Sequence, residues 1–407
     1  MLLARIVEDV VRSDGARMLA SLIRLTGDFD RAEDALQEAY TRALTVWARD
    51  GLPDRPAAWI NTVSRRAALD TLRRQRSVPL EIEPAAPSNE PEAEDPSGVE
   101  DDRLRLLFTC CHPALSPEAR TALALRTLGG LTTREIARAF VEDPTTTAQR
   151  LVRAKKKIRE AGIPYEIPAN EALPDRVAAV LQVIYLIFNE GYAATEAPSS
   201  LRPDLCAEAI RLARLSVELL PGEAEAGGLL AMMTLTHARR AARMSPEGEL
   251  VPLELQDRTA WSAPEISLGV AALDQALQLR QPGPYQIQAA IAALHVRAPS
   301  AAETDWQQIS ALYGALLQWA PTPVVELNAA AALAMALGVE HGLRWIENLE
   351  QRGELAGYHL LPAAKADLLR RAGRLPEAAS AYQAALQLVR NPAERRYLER
   401  RLADCGL

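Results

Sequence analysis

Apolar residues along the chain recur with the spacing of a helical face. Between Arg31 and Trp47 they stand at i, i+1, i+4 and i+5, which predicts an amphipathic helix. The apolar positions of this helix are Ala35, Leu36, Ala39, Tyr40, Ala43, Leu44 and Trp47. A second helix is predicted from Ala57 to Arg76, after a break rich in Gly and Pro. No segment alternates between apolar and polar residues as a strand would, so the pattern predicts an all-α protein.

The sharpest local pattern lies between residues 116 and 160. A Ser-Pro pair predicts the start of a helix over 116–128. The sequence TTRE at 132–135 is a capping box and predicts a short helix through Phe140. Pro144 predicts the first turn of a third helix, which reaches Arg159. Two short helices joined by a tight turn, the second longer and basic, are typical of a helix-turn-helix.

The last of these helices is expected to present two different faces. Ala148, Leu151, Val152 and Ile158 are expected to face the core. The polar and basic residues left outward are Thr145, Thr146, Thr147, Gln149, Arg150, Arg153, Lys156 and Lys157. Such a helix can insert into the major groove, where polar side chains contact base edges and basic ones contact phosphates. A basic helix that merely faces solvent is the alternative, but the capped helix and turn before it favour DNA binding.

The net charge of −7 is unevenly distributed along the 407 residues. Residues 1–76 carry +2, residues 77–102 carry −9, residues 103–165 carry +7 and residues 166–407 carry −7. The acidic, Pro-rich segment 77–102 has the composition of a disordered linker. A basic block followed by a large acidic one indicates a module that binds a polyanion, joined to one that binds protein.

Several classes of protein and site are excluded by what the sequence lacks. No run approaches the roughly 18 apolar residues that span a bilayer, so no membrane association is expected. Four cysteines in a long chain do not form a disulfide framework and indicate the reducing cytoplasm. The triplet Cys110-Cys111-His112 lacks the spacing of a metal site, so these cysteines are expected to be small buried residues, and neither metal nor cofactor is predicted. Without a P-loop, GxGxxG, HExxH or GxSxG motif, an enzyme is not expected either.

Two segments resemble the conserved regions of extracytoplasmic-function (ECF) sigma factors, the promoter-recognition subunits of bacterial RNA polymerase. DFDRAEDALQEAYTRALTVW followed by AAWINTVSRRAALDTLRR has the order and spacing of sigma region 2. LSPEARTALALRTLGGLTTREIARAFVEDPTTTAQRLVRAKKKIR resembles region 4. The resemblance implies a region 2 domain over 1–76, an acidic flexible linker over 77–102 and a region 4 helix-turn-helix domain over 103–165.

The resemblance also implies two partners, core RNA polymerase (through its β′ and β subunits) and promoter DNA. The polar face implied to bind the β′ subunit is formed by Asp34, Gln37, Glu38 and Thr41. The helix implied to engage the melted −10 element carries Asn61, Ser64, Arg65, Arg66, Arg73 and Arg74. Trp59 on that helix could stack on a base or lie in the core. The −35 element would be bound as a duplex by the helix over 144–159.

The remaining residues, 170–407, are Ala- and Leu-rich and are expected to be helical throughout. The run KADLLRRAGRLPEAASAYQAAL fits a tetratricopeptide (TPR) unit. The residues that carry this fit are Gly373, Leu375, Ala378, Tyr382, Ala385 and Leu386. Repeat solenoids present concave surfaces that suit proteins, so a protein ligand is expected here. The chain thus resembles an ECF subgroup with a TPR-like C-terminal extension, which would regulate the sigma regions in cis.

One further segment, VIYLIFNEGYAAT, ends an apolar run with polar and aromatic residues. Tyr185, Asn189, Glu190 and Tyr192 are candidates for a contact with the sigma regions. The alternative is a plain helix over 177–188 that ends at Gly191 as its C-terminal cap. For the chain as a whole, the alternative to a sigma factor is a TPR-bearing helix-turn-helix regulator that binds operator DNA without polymerase.

Overall fold

The computed structural model describes residues 2–75, 96–140, 142–169, 171–192, 203–245 and 249–406. Within these residues the protein consists of α-helices with three short 3-10 turns, and it has no strand. An isolated antiparallel bridge joins Met244 and Leu250. The prediction of an all-α protein is therefore confirmed. The chain folds into two compact units, residues 1–186 and residues 187–407.

The first unit is built from seven complete helices and part of an eighth, counted within the described residues. They are α1 (Leu2–Thr26), α2 (Phe29–Asp50), α3 (Pro56–Gln75), α4 (Pro96–Cys110), α5 (Pro117–Thr127), α6 (Thr133–Ala139), α7 (Pro144–Glu160) and α8 (Leu173–Tyr192). The helices predicted from the apolar and capping patterns are all present. Helices α1, α2 and α3 pack on one another, and α6 and α7 form the predicted helix-turn-helix, with α5 packed against both.

Helix α2 shows how local sequence sets both the start and the buried face of a helix. Its N-cap is Asp28, whose carboxylate accepts a hydrogen bond of 3.0 Å from the backbone N–H of Arg31. The predicted apolar positions are buried, with one exception: the prediction that Leu44 faces inward is wrong, because its side chain is 42% exposed. Leu44 follows buried Ala43 by about 100° around the helix, which carries it past the edge of the core.

The C-terminal end of the linker predicted over 77–102 differs in the structure, because helix α4 begins at Pro96. Residues 77–95 lie outside the described residues, but residues 96–102 belong to α4 and are helical. The side chain of Asp102 is only 1% exposed, and its carboxylate lies 3.0 Å from Arg24 Nε of α1 and 2.9 Å from Arg105 Nη1. The buried negative charge is therefore balanced by two cations, one of which comes from a different helix.

Tyr165 adds a second polar connection at the same place. Its hydroxyl lies within hydrogen-bond distance of two carbonyl oxygens, that of Ala20 in α1 at 3.0 Å and that of Asp102 in α4 at 2.9 Å. Burial raises the pKa of this phenol well above its usual value, so the hydroxyl keeps its proton and remains a donor. Asp102 and Tyr165 thus join helices that are far apart in the sequence.

A third connection joins α2 to α7. Lys155 Nζ lies 2.8 Å from Asp30 Oδ1 and 3.0 Å from Glu33 Oε2, and Arg159 Nη1 lies 3.2 Å from Asp30 Oδ2. Burial disfavours the charged form of Lys155, but the hydrogen bond with Asp30 and the charge of Glu33 outweigh it and raise its pKa. The hydrogen bond from Lys155 lowers the pKa of Asp30 in turn. Both groups are charged at neutral pH, and we call this set of four side chains the α2–α7 clamp.

The second unit continues as a series of helices. After the last part of α8 come α9 (Pro203–Leu219), α10 (Ala224–His237), α11 (Ala263–Gln278), α12 (Pro284–Arg297), α13 (Trp306–Trp319), α14 (Pro323–Leu337), α15 (Val339–Arg352), α16 (Leu360–Arg371), α17 (Leu375–Leu388) and α18 (Pro392–Ala403). From α9 to α18 each helix packs on the next one in the chain, and α10 with α12 and α14 with α16 also pack as alternate neighbours. This pattern of local packing is the one that helical repeats produce.

The helix pair α16–α17 occupies the run that the sequence pattern assigns to a repeat unit. Gly373 lies in the turn between the two helices with a φ of 75°, a left-handed conformation that favours glycine. Ala378, Tyr382 and Ala385 are fully or almost fully buried in the core of this pair. Leu375 differs from these three because its side chain is 38% exposed.

Gly191 was considered as the C-terminal cap of a helix, but it has a different role in the structure. It does not cap a helix, because α8 continues through Tyr192. Instead Gly191 is buried, and a Cβ added to it would lie 2.8 Å from the backbone N of Cys206 in α9. The absence of a side chain therefore allows α8 and α9 to approach closely.

We predict that Asp102→Asn lowers the free energy of unfolding by about 1–3 kcal/mol, because it removes a buried charge to which two arginines are paired. Urea denaturation measures this difference. The matched control is Asp50→Asn, whose carboxylate pairs with Arg49 at 2.7 Å but is half exposed. That control should leave the free energy of unfolding nearly unchanged, because solvent screens the exposed pair. Equal effects of the two substitutions would show that the buried pairing contributes nothing.

Candidate functional site

The helix-turn-helix is held together by caps that the sequence predicted. The Thr132 backbone N–H donates to Glu135 Oε2 at 2.7 Å, and the Glu135 backbone N–H donates to the Thr132 hydroxyl at 3.2 Å. This is the reciprocal capping box at the start of α6. Asp143 caps α7 by accepting a bond of 2.7 Å from the backbone N–H of Thr145. Hydrogen bonds from Thr145 lower the pKa of this carboxyl, so it is ionised at the positive end of the helix.

Helix α7 presents three faces, and one of them is open to solvent. Its core face consists of Thr147, Leu151, Ala154 and Ile158, all buried. Lys155 and Arg159 point towards α2 and form half of the α2–α7 clamp. The open face carries most of the predicted DNA-contacting residues, namely Thr145, Thr146, Gln149, Arg153, Lys156 and Lys157.

Two residues predicted to contact the −35 element are instead engaged inside the protein. Thr147 is fully buried, and its hydroxyl donates to Glu142 Oε1 at 2.6 Å. Arg150 is half-buried and forms a two-pronged ion pair with the same carboxylate, at 2.5 and 2.7 Å. The placement of Thr147 on the outward face is therefore wrong. Glu142 in the turn before α7 is the partner that could not be recognised from the sequence pattern.

A groove of about 520 Å³ runs between the start of α5 and the open face of α7. Its polar lining includes Thr146, Gln149, Arg153 and Lys157 from α7, Ser116 at the N-cap of α5 and the acidic Glu118 in the first turn of α5. Hydroxyl, amide and cationic groups of this kind suit the phosphates and base edges of a nucleic acid. The groove therefore lies between the open face of α7 and α5, the helix that precedes the helix-turn-helix.

The polar face predicted on α2 is present as one continuous surface. Asp34, Gln37, Glu38 and Thr41 are all exposed, and their spacing of three, four and seven residues places them on the same side of the helix. Arg42 Nη1 lies 3.7 Å from Glu38 Oε1 at the edge of this surface. Exposed Leu44 lies three residues beyond Thr41 and extends the surface with an apolar side chain. The apolar periodicity of α2 did not predict this exposure.

Helix α3 supports only part of the predicted −10 set. Arg65, Arg66, Arg73 and Arg74 are exposed, while Asn61 is partly buried. The structure corrects the placement of Ser64: its side chain is fully buried and its hydroxyl donates to the carbonyl oxygen of Asn61 at 2.9 Å. At 100° per residue, Arg66 and Arg73 lie on one side of the helix and Arg74 lies about 100° further round. The four arginines thus do not form a single patch.

Trp59 lies at the start of α3 and is partly buried. Its ring stands edge-on to that of Trp47 in α2, with the ring centroids 5.5 Å apart and the planes at 65°. Trp47 itself is 3% exposed. Trp59 therefore packs against the core with one edge and keeps part of its ring at the surface.

The segment predicted to contact the sigma regions lies in α8. The boundary between the two compact units falls within this helix, between Leu186 and Ile187. Tyr192 is engaged within the second unit, where the guanidinium of Arg243 lies 3.8 Å from the centre of its ring and donates to its carbonyl oxygen at 2.8 Å. Its ring also stacks on Phe188, with the centroids 5.6 Å apart.

The other members of this segment differ in their exposure. Asn189 is exposed at the surface of α8, whereas Tyr185 and Glu190 are partly buried. Tyr185 belongs to the first compact unit, and Asn189 and Glu190 belong to the second. Asn189 is therefore the member of the predicted contact whose side chain is most accessible.

The cysteines occupy the core, as expected. Cys110 and Cys111 are both almost fully buried, and Cys206 and Cys405 are also buried as free thiols. Burial raises the pKa of Cys111 to about 12 and that of Cys110 still further, so both are unreactive thiols at neutral pH.

Across the described residues, no group of three or more His, Cys, Asp or Glu side chains is placed to hold a metal ion. Nor does any helix in those ranges have the length and apolar character needed to cross a membrane.

Comparison with protein families matches three parts of the chain. Sigma-70 region 2 matches residues 10–78, and sigma-70 region 4 matches residues 105–158. A family of unknown function, DUF6596, matches residues 176–277. The two sigma-70 matches contain the α2 surface, helix α3 and the helix-turn-helix described above.

Similar proteins fall into two groups. An uncharacterized protein of Rhizobium meliloti is 44% identical over 392 residues, which cover 94% of this chain and 92% of that protein. The ECF RNA polymerase sigma factor SigE of Mycolicibacterium smegmatis is 27% identical over 156 residues, or 38% of this chain and 60% of that protein. The probable ECF RNA polymerase sigma factor SigI of Mycobacterium tuberculosis is 29% identical over 175 residues, or 40% of this chain and 59% of that protein.

No solved structure matches the chain. The rhizobial protein is similar over nearly the whole length of both chains, and the ECF sigma factors are similar over the part that holds the two sigma-70 regions. The chain therefore belongs to the same family as the rhizobial protein and carries sigma-70 region 2 and sigma-70 region 4, the domains of a sigma factor.

Proposed function

We propose that the chain is an ECF-type sigma factor that binds core RNA polymerase and directs it to promoters through their −10 and −35 elements. The observation that carries this proposal is the presence, in one compact unit, of an exposed acidic surface on α2 and an exposed polar and basic face on α7. An operator-binding regulator would use the second surface and would leave the first without a partner.

The proposed partners follow from these surfaces. The α2 surface would bind the β′ subunit of core polymerase, with the β subunit also in contact with the bound chain. The open face of α7 would contact the −35 duplex, and exposed arginines of α3 would contact phosphates of the melted −10 element. Sigma factors are not enzymes, and the chain would act with neither cofactor nor metal, in the cytoplasm where polymerase transcribes.

We further propose that the C-terminal helices form a TPR-like domain that regulates the sigma regions in cis and binds a protein ligand. The packing of the helices supports this part of the proposal. They pack mainly on their neighbours in the chain, as repeats do.

We predict that Asp34→Arg weakens binding to core polymerase by about tenfold, because it reverses a charge on the α2 surface. Titration of core polymerase with the labelled chain measures the affinity. Asp54→Arg, a reversal of an exposed charge in the loop after α2, is the matched control and should bind as wild type does. If both reversals bind equally well, the α2 surface is not the polymerase site and the operator-binding alternative gains support.

We predict that Arg153→Ala or Lys156→Ala lowers the slope of log affinity against log salt concentration by about one, since each removes one phosphate contact. The measurement is binding of duplex −35 DNA at several salt concentrations. Arg159→Ala is the control, because this residue of the same helix points towards Asp30 instead. Its slope should match that of wild type. A change in the control alone would mean that the wrong face of α7 has been assigned.

We predict that Asn189→Ala in the full chain changes promoter-specific transcription, because it removes an accessible amide from the proposed regulatory contact. Gln182→Ala is the matched control, since it is also an exposed amide of α8 but stands two turns earlier. Transcription with core polymerase, at equal amounts of folded protein, gives the comparison. Equal output from wild type and both variants would contradict a role of this segment in regulation.

A further inference from the structure

Val152 is an apolar side chain on the open face of α7. The sequence pattern places it in the core, but its side chain is 61% exposed, while Leu151 beside it is buried. Val152 lies one turn after Gln149 and one turn before Lys156, so it is flanked by polar residues of the same face. The core positions of α7 are filled without it, and packing therefore does not account for a valine here.

The neighbouring ion pairs hold this part of α7 in place. Lys155, three residues after Val152, is bound by Asp30 and Glu33 of α2. The α2–α7 clamp fixes the helix on one side of Val152, and Leu151 and Ala154 fix it on the core side. The two methyl groups of Val152 thus project from a helix whose rotation about its own axis is restrained on two sides.

The chemistry of the major groove supplies a ligand for such a side chain. Thymine is the one base that displays an apolar group there, its C5 methyl, and apolar side chains contact it. The amide of Gln149, one turn earlier on the same face, suits the N6 and N7 atoms of adenine. Gln149 and Val152 together therefore match a site in which A·T base pairs are adjacent or nearly so.

We propose that Val152 recognises a thymine of the −35 element through the C5 methyl of that base. The inference rests on the proposed function, since it requires that the open face of α7 lies in the major groove. Removal of one methyl group from water contributes about 0.8 kcal/mol, which corresponds to about a fourfold difference in affinity. Val152 is thus a residue that determines sequence specificity and adds little to general affinity for DNA.

The experiment uses full-length protein bound to core polymerase. Duplexes with a randomised −35 segment are selected for binding, and each thymine of the selected sequence is then replaced singly by deoxyuridine, which lacks only the methyl group. Wild type should lose affinity about fourfold at one thymine. Val152→Ala should bind the thymine duplex about fourfold more weakly than wild type and show no loss on replacement of that thymine. Val152→Thr, which keeps one methyl group, should retain part of the discrimination.

Two controls separate this inference from the proposed function. Circular dichroism and the salt dependence of binding should be the same for Val152→Ala and wild type, because an exposed valine contributes to neither folding nor phosphate contacts. If a sequence is selected but the penalty for deoxyuridine is absent, or persists in Val152→Ala, the role of Val152 is wrong and the sigma factor proposal stands. If the protein with core polymerase selects no −35 sequence, both proposals are wrong.

Discussion

The ion pairs of Lys155 with Asp30 and Glu33 determine which side of α7 remains open. A helix of 17 residues with so many basic side chains could present several faces to solvent. Two carboxylates from α2 neutralise Lys155, and Leu151 and Ile158 occupy the core, which leaves the remaining face polar, basic and accessible. The same ion pairs join α2 to the helix-turn-helix, so the two predicted binding surfaces belong to one compact unit.

The acidic residues of α2 are thereby divided between two tasks. Asp30 and Glu33 face α7 and form ion pairs with Lys155. Asp34 and Glu38 are exposed on the surface proposed to bind polymerase. Internal pairs of this kind are less screened by salt than exposed ones, because they are partly removed from water. Moderate salt should therefore weaken the proposed contacts with polymerase and DNA before it releases the α2–α7 clamp.

The helices could be predicted from local chemistry. The direction in which single side chains point could not. The capping box at Thr132 and the N-terminal proline of α7 act within a few residues, so they can be recognised in the sequence. Val152 and Leu44 adjoin core positions, and the sequence does not show where a core ends. Ser64 is the opposite case: it was predicted to be exposed, but it is buried because its hydroxyl donates to a backbone carbonyl. Pairings between distant segments, such as that of Asp102 with Arg24, leave no local pattern at all.

The proposed function requires that the two surfaces act together on polymerase and promoter. The most direct test is transcription from a pool of genomic promoter fragments by core polymerase, with and without the purified full-length chain. Discrete start sites that share a −10 and a −35 element should appear only when the chain is added. A chain that binds duplex DNA but leaves the transcripts of core polymerase unchanged would contradict the proposed function.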